Sequence, residues 1–386
     1  MSDLFSPFIK TEKQNELYKL AEKLALRVKE RAKETDEQAA FSKENLRDLK
    51  ETDYVTLTLP KKYGGKEISI YELLLVQEKL AEGDGSAALS MGWHLGVVKE
   101  LAEDDLWDES VFDRFAKEVS EEKKIVNRIA SEPATGSPSR GGIPETRAVR
   151  DGDNYIINGH KNFATMAGVL DYYIVTAYVE DQEEIGSFLI PAITPGVNVK
   201  HTWDTLGMRG TASDDLLLED VRVHQDQLVE MKQQSKKPKG WLLHIPACYL
   251  GIAIAARNEA IEFAKSYQPN SLNTPISEVP HIQQKIGEMD FELLRARQFM
   301  YAVAEKWDQF PEKQMELGPE LSAVKVAATN AASKVVDLAM RIVGGRGLSK
   351  HFNFERYYRD VRAGLHNPPM EDAVIQMLAR KAIDAK

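Results

Sequence analysis

The chain has 386 residues, 43% of them hydrophobic, and a net charge of −10 from 60 Asp and Glu against 50 Lys and Arg. A core of this size suits two to three domains at about 100–200 residues each. The acidic balance, with no basic block interleaved with aromatics, argues against nucleic acid and for small molecules or proteins as partners. Cys248 is the single cysteine, so no internal disulfide and no cysteine-based metal cluster can form, and no metal site is expected. Met1 to Lys13 lacks an apolar signal core, and the apolar stretch Trp241 to Ala256, broken by His244 and Pro246, falls short of the roughly 20 residues that span a bilayer. A cytoplasmic protein with no membrane contact is the expectation.

Along the chain, Leu17, Leu20, Ala21, Leu24, Ala25 and Val28 recur at helical spacing between Thr11 and Thr35, and Thr11 with Gln14 suits a capping box. Helical patterns follow at 42–51, 70–82, 86–102 and 108–119, so residues 1–122 read as an N-terminal helical domain. From 123 to 231 the character changes to short β-branched and aromatic runs between turn residues. Examples are Tyr155-Ile156-Ile157, Tyr172-Tyr173-Ile174-Val175, Ser187 to Ile190 and Asp215 to Glu219, which predict a middle antiparallel β domain. The Lys- and Gln-rich stretch Lys232 to Gly240 reads as an exposed linker. Helical periodicity returns at 246–266, 281–308, 320–343 and 371–385, giving residues 232–386 as a C-terminal four-helix bundle and an α+β fold overall.

Six motifs lie in order over this plan: Pro60-Lys61-Lys62-Tyr63-Gly64-Gly65, Ser131-Glu132-Pro133-Ala134-Thr135-Gly136-Ser137, Asn158-Gly159-His160-Lys161-Asn162-Phe163-Ala164-Thr165, Gly207-Met208-Arg209-Gly210-Thr211-Ala212-Ser213, Gly344-Gly345-Arg346-Gly347, and Arg359-Asp360. Together they resemble the acyl-CoA dehydrogenase superfamily, flavoenzymes that oxidise acyl thioesters. The resemblance implies a flavin, FAD or FMN, between β domain and bundle, and a homotetramer. It implies backbone donation to the ring by Ala130 and Ser131, a hydroxyl of Thr165 at its N5, Phe163 as the wall behind it, and Ser137 near phosphate or substrate. Gly344 and Gly345 would bring backbone N–H groups to the nucleotide half, with Arg341 as a candidate cation.

The same comparison shows where the chain departs. The family's catalytic carboxylate, counted from Arg359-Asp360, falls on Pro368, which cannot accept a proton. Some members carry the base at the start of the helix after the β domain, and the matching position here is His244; Glu371 is a further spare acid. The family's FAD-binding arginine aligns near Pro269. Gly92-Trp93-His94 and Leu365-His366-Asn367-Pro368 resemble two histidine elements of the superfamily's reduced-flavin monooxygenases, the desulfurisation type.

Three functions are therefore weighed. The favoured one is an O2-using monooxygenase supplied by a flavin reductase, with His94 and His366 beside the flavin, acting on a small sulfur-, nitrogen- or carbon-containing substrate. The second is an FAD-dependent dehydrogenase of an acyl-CoA thioester, with His244 or Glu371 as base and an electron-transfer flavoprotein as partner. The third is a scaffold that binds flavin without chemistry.

Overall fold

Helix α1 (Glu12–Gln38) begins where Thr11 Oγ1 accepts the Gln14 N–H at 3.2 Å, while Gln14 Oε1 reaches back to the Lys10 N–H at 2.7 Å, one residue before the reciprocal box expected. Its buried stripe, Leu17, Ala21, Leu24, Ala25, Val28 and Ala32, repeats at three and four residues. The computed structural model describes residues 4–135, 142–231 and 237–384. α2 (Lys43–Glu51), α3 (Ile70–Ala81), α4 (Gly85–Glu103) and α5 (Glu109–Glu121) complete the first part. Ser69 and Glu72 form a true capping box on α3, and Asp84 caps α4 through the Ser86 N–H.

The middle part is an eight-stranded sheet: β1 (Val126–Ile129), β2 (Arg147–Asp151), β3 (Asn154–Ala164), β4 (Tyr172–Val179), β5 (Glu184–Pro191), β6 (Val197–Lys200), β7 (Asp214–His224) and β8 (Leu228–Met231). Its order is β6-β7-β3-β2-β4-β5-β8, with β1 beside β4. The expectation of an antiparallel domain needs correcting in one respect, because β1 and β2 both run parallel to β4. Parallel neighbours require long connections rather than tight turns, and here β2 and β3 lie in the chain between β1 and β4, and β3 between β2 and β4.

The last part holds α6 (His244–Ser266), α7 (Pro280–Gln309), α8 (Gly318–Val343), α9 (Phe354–Gly364) and α10 (Glu371–Asp384). α6 begins two residues before Pro246, which is tolerated because a first-turn N–H has no intrahelical acceptor. Gly240–Ser266 is long and apolar enough to cross a membrane by length and composition, yet 94% of its most apolar stretch is buried inside the protein. It is the central helix of the core, touching α3, α4, α7, α8 and α9. The stretch read as a linker is tied down at its end: Lys237 and Lys239 pair with Asp104 and Glu100 at 2.6 and 2.5 Å. Residues 232–236 lie outside the described residues.

Two of the motifs prove to be each other's partners. Asp360 Oδ1 accepts the Met208 N–H at 2.6 Å, and Arg359 donates to Asp36 at 2.6 and 2.9 Å and to the Leu206 carbonyl at 3.0 Å. The turn at 207–211 is thus clamped between α9 and the end of α1. A Cβ at Gly207 would sit 2.1 Å from the Arg359 carbonyl oxygen, so the approach is backbone on backbone. Gly207→Ala is expected to lower stability by about 1–3 kcal/mol or more, read as a fall in the urea midpoint at unchanged slope.

Candidate functional site

The end of β3 is where the sheet becomes irregular. The β3–β7 register shifts between Lys161 and Ala164, and Phe163 adopts φ +56°, which turns its ring out to 61% exposure against the edge of Trp203, 6.1 Å between centroids. Two residues on, Thr165 is buried and its Oγ1 lies 2.9 Å from Ser213 Oγ, which lies 2.9 Å from Thr211 Oγ1. Thr211 Oγ1 in turn donates to the Met208 carbonyl at 2.8 Å, so a line of hydroxyls runs from β3 into the clamped turn. Ala130 and Ser131 follow β1 directly, and the Ser131 carbonyl accepts the Asn162 N–H at 3.0 Å, which draws this peptide edge beside Phe163.

One buried ion pair holds the two segments together. Lys161 Nζ donates to Glu132 Oε1 at 2.6 Å, and the same carboxylate accepts from Thr146 Oγ1 at 2.7 Å, Thr146 N–H at 3.1 Å and Glu145 N–H at 2.6 Å. Burial by itself raises the pKa of Glu132, but Lys161 and Thr146 outweigh it and hold the carboxyl at about 2. These residues fit a flavin ring: a broad apolar face at Phe163 backed by Trp203, a hydroxyl at Thr165, and a peptide edge at 130–131 fixed from behind by a charge pair.

The two histidines expected beside the flavin stand in different surroundings, one buried and one exposed. His94 is fully buried, with Nε2 2.9 Å from the Val55 carbonyl and Nδ1 accepting the Val126 N–H at 3.1 Å. Both nitrogens are spent on backbone, and desolvation pushes its pKa down to about 4. His366 is exposed at the end of α9 with no side-chain hydrogen bond among the described residues. Glu371 is also exposed, opening α10, and accepts from Asn330 Nδ2 at 3.2 Å. Pro368 precedes a cis bond to Pro369, next to Asn367, whose Oδ1 accepts the Tyr249 hydroxyl at 2.5 Å.

His244 behaves differently. It is fully buried at the start of α6, stacked on Trp241 at 5.9 Å and met edge-on by Trp93 at 5.1 Å. Among the described residues neither ring nitrogen has a hydrogen-bond partner, and the same is true of Gln77 Nε2, Ser90 Oγ and Trp241 Nε1. Gly92 is the meeting point, since a Cβ there would lie 2.0 Å from His244 Nδ1 and 2.4 Å from Gln77 Nε2. Buried polar atoms left unpaired cost about 1–3 kcal/mol each, so such a cluster marks a place where structure is subordinate to another demand. Burial drives the His244 pKa down to about 3, which keeps the ring neutral. Gln77 and Ser90 were invisible in the helical pattern; their only signal was a polar residue inside an otherwise apolar run.

The nucleotide half is less assembled in one chain. Arg341, on the last turn of α8, is exposed and pairs with Asp337 at 2.7 Å. Gly344 has φ +67°, and nothing lies within 4 Å of a Cβ at Gly344 or Gly345. Arg346 stacks over Tyr267, 4.3 Å from the ring centroid, beside the stretch that carries Pro269. Ser137 lies outside the described residues. Past Thr165, a cleft of about 800 Å³ runs from Met166–Leu170 across Trp203 and Asp204 to Phe41.

Models of the N-terminal, middle and C-terminal domains of acyl-CoA dehydrogenases match residues 11–103, 128–221 and 243–365. A putative acyl-CoA dehydrogenase of Bacillus subtilis is 49% identical, covering 98% of this chain and all of that one. A 3-(aryl)acrylate reductase of Clostridium sporogenes is 30% identical over 91% of this chain and 93% of its own length. Among solved structures, the dibenzothiophene monooxygenase of a Paenibacillus species, in complex with FMN and indole, superposes with a TM-score of 0.87 over 96% of this chain and 98% of that one. At 23% identity that likeness is one of fold.

Proposed function

Because this chain belongs to the acyl-CoA dehydrogenase family of flavin oxidoreductases, we propose that it exchanges a proton and a hydride with the α- and β-carbons of a small acyl thioester, with His244 handling the proton. The observation that carries this reading is the buried, unpartnered imidazole at the start of α6. Pro368 stands where the family places its carboxylate, and His244 stands where other members place theirs. The relatives of 49% and 30% identity, named for acyl-CoA dehydrogenation and acrylate reduction, support chemistry at a carbon–carbon bond.

The flavin, FAD or FMN, supplies the two-electron acceptor for the hydride leaving the β-carbon. Ala130, Ser131, Phe163 and Thr165 would hold its ring, and Gly344 and Gly345 its nucleotide half. His244 acts on the other side of the balance. Being neutral, it takes the α-proton at Nε2, the ring edge away from Gly92, as the carbon–carbon double bond forms. An imidazole with a pKa near 3 is a weak base, but the negative charge growing on the thioester offsets this. A unit charge at 4 Å is worth about 4 kcal/mol at an effective dielectric of 20, or about three pKa units. Trp93, half-buried, and Trp241, buried, pack against the ring and hold its plane.

The test is anaerobic mixing of the flavin-loaded protein with a panel of short, branched and aryl acyl-CoA thioesters. At least one is expected to bleach the flavin within seconds. Silence across the panel, with oxygen-dependent turnover of an indole or aryl sulfide, would replace this reading with the monooxygenase one. That second reading draws on Pro368, since oxygenation needs no carboxylate there, and it would fall to His366 alone because His94 is committed to backbone.

The same proposal places the enzyme in the cytoplasm as a homotetramer passing electrons to an electron-transfer flavoprotein. Phe291, Leu294 and Phe299 stand exposed on α7, an apolar stripe suited to subunit contact. Sedimentation at micromolar concentration gives the assembly directly.

A further inference from the structure

A neutral imidazole takes a proton at Nε2 only when its own proton sits on Nδ1, and that proton needs an acceptor. Nδ1 of His244 faces Gly92. A Cβ there would lie 2.0 Å from Nδ1 and 2.4 Å from Gln77 Nε2, so the end of the Gln77 side chain stands beside the ring, over a glycine that leaves room for both. Gln77, on α3, is wholly buried, as is His244. Among the described residues Nδ1 and Gln77 Nε2 make no hydrogen bond, whereas Gln77 Oε1 accepts the hydroxyl of fully buried Tyr54 at 3.1 Å. The aromatic neighbours of the ring, Trp93 and Trp241, carry indole N–H donors but no acceptor. No charged side chain bears on the imidazole, whose pKa is lowered by burial alone.

The two ends of a carboxamide have nearly the same size, and a half-turn about the last side-chain bond exchanges them. The structure has Nε2 toward Gly92 and Oε1 on Tyr54. In that sense Gln77 offers N–H groups to the ring, a neutral imidazole keeps its proton on Nε2, and the imidazolium formed in turnover would set its Nδ1–H against another N–H. In the opposite sense Nδ1–H has an acceptor in Oε1, Gln77 Nε2 donates to the Tyr54 oxygen, and the Nε2 lone pair of His244 is left for the substrate. Only the second sense serves a base. We infer that Gln77, anchored by Tyr54, is a positioning residue that turns its amide oxygen to His244, holds the ring as its Nδ1–H tautomer and steadies the imidazolium. This assignment rests on the proposed role of His244 as the base.

Flavin-loaded, full-length protein labelled with 15N at its eight histidines reports the tautomer by nuclear magnetic resonance, His244 being identified by the signal lost in His244→Gln. The His244 proton is expected on Nδ1 in the wild type and on Nε2 in Gln77→Met. With the acyl-CoA thioester that bleaches the wild-type flavin, Gln77→Met should lower kcat about 10- to 150-fold, the worth of a hydrogen bond to a charged group. KM should change little, because the bond strengthens only as the proton is taken. Gln77→Glu keeps an acceptor for Nδ1–H and should retain most of the rate. It should also bring a histidine ionisation into kcat/KM between about pH 5 and 8, where none is expected of the wild type, since a carboxylate beside the ring raises its pKa. A wild-type ring protonated on Nε2, or a tautomer unchanged in Gln77→Met, would overturn the assignment even where His244→Gln is slow. Undiminished flavin reduction in His244→Gln would instead remove the base reading, while the 15N spectra still decide whether Gln77 sets the tautomer. Should Gln77→Met not fold, the wild-type spectrum and the pH limb of Gln77→Glu decide the matter.

Discussion

Replacing His244 with alanine is expected to slow flavin reduction by an acyl-CoA substrate by about 10²- to 10⁴-fold, the usual worth of a positioned general base. Stability should change little or rise, because the substitution removes two buried nitrogens that have no partner, although the space left between Trp93 and Trp241 offsets part of that gain. A large loss of rate with a preserved melting temperature is therefore the signature to look for. His244→Gln, which keeps bulk and polarity but cannot act as a base at neutral pH, should be as slow as alanine. The pH profile separates this from a packing role. Burial holds the His244 pKa at about 3, so its basic form is fully present above about pH 4 in the free enzyme, and kcat/KM should show no histidine ionisation between pH 5 and 8. A limb near pH 6.5 that disappears in His244→Gln would mean the ring is solvated in solution and the buried geometry is not the working one.

The largest structural effect is expected at Lys161. Lys161→Met leaves the Glu132 carboxylate buried without its cation, a change that costs about 3–5 kcal/mol, a sizeable fraction of the roughly 5–15 kcal/mol that holds a domain together. The loss should appear as a lower denaturant midpoint and as weaker flavin retention, since Glu132 and Lys161 tie the 130–132 edge to the strand that carries Phe163. Glu132→Gln combined with Lys161→Met should recover part of the loss, because it removes the charge left alone. The pH dependence has a definite sign. The Glu132 pKa falls from 4.5 to about 2 on folding, so its contribution is complete above about pH 4.5 and is lost as pH falls toward 2. In Lys161→Met the Glu132 pKa no longer falls as far on folding, so the stability this carboxylate loses between pH 4.5 and 2 should shrink; an unchanged slope of stability against pH over that window would show the pair to be irrelevant.

The three-part architecture was legible because periodicity changes cleanly, from the four-residue stripe of α1 to the alternating strands around Tyr155 and Tyr172, and back to helix at α6. Strand direction was not legible: Val126–Ile129 and Arg147–Asp151 gave no hint that both run parallel to β4, since pairing is set by long connections and not by side-chain alternation. The motif around Phe163 and Thr165 could be read in the sequence, and its reason emerged in the structure as a bulge with positive φ. The histidines show the limit. His94 and His244 look alike in a sequence, each a single imidazole in an apolar helix. Which one is spent on backbone and which is left unpartnered depends on Val55, Val126, Gln77 and Gly92, residues far apart in the chain. Arg359 and Asp360 resembled a catalytic landmark, yet what they touch is Asp36 and the Met208 turn.

That clamp has a bearing on how the protein is made. A ribosome delivers the end of α1 and the turn at 207–211 long before it delivers Arg359 and Asp360, and the first two meet their clamp only in the final tenth of translation. Until then Asp36 lacks its guanidinium, the Met208 N–H lacks its acceptor, and α6 lacks the cover of α9. The nascent polypeptide thus carries an incomplete centre for most of its synthesis, which is the circumstance in which chains recruit chaperones. A chain ending before position 359 would lack both the guanidinium that pairs with Asp36 and the acceptor for the Met208 N–H.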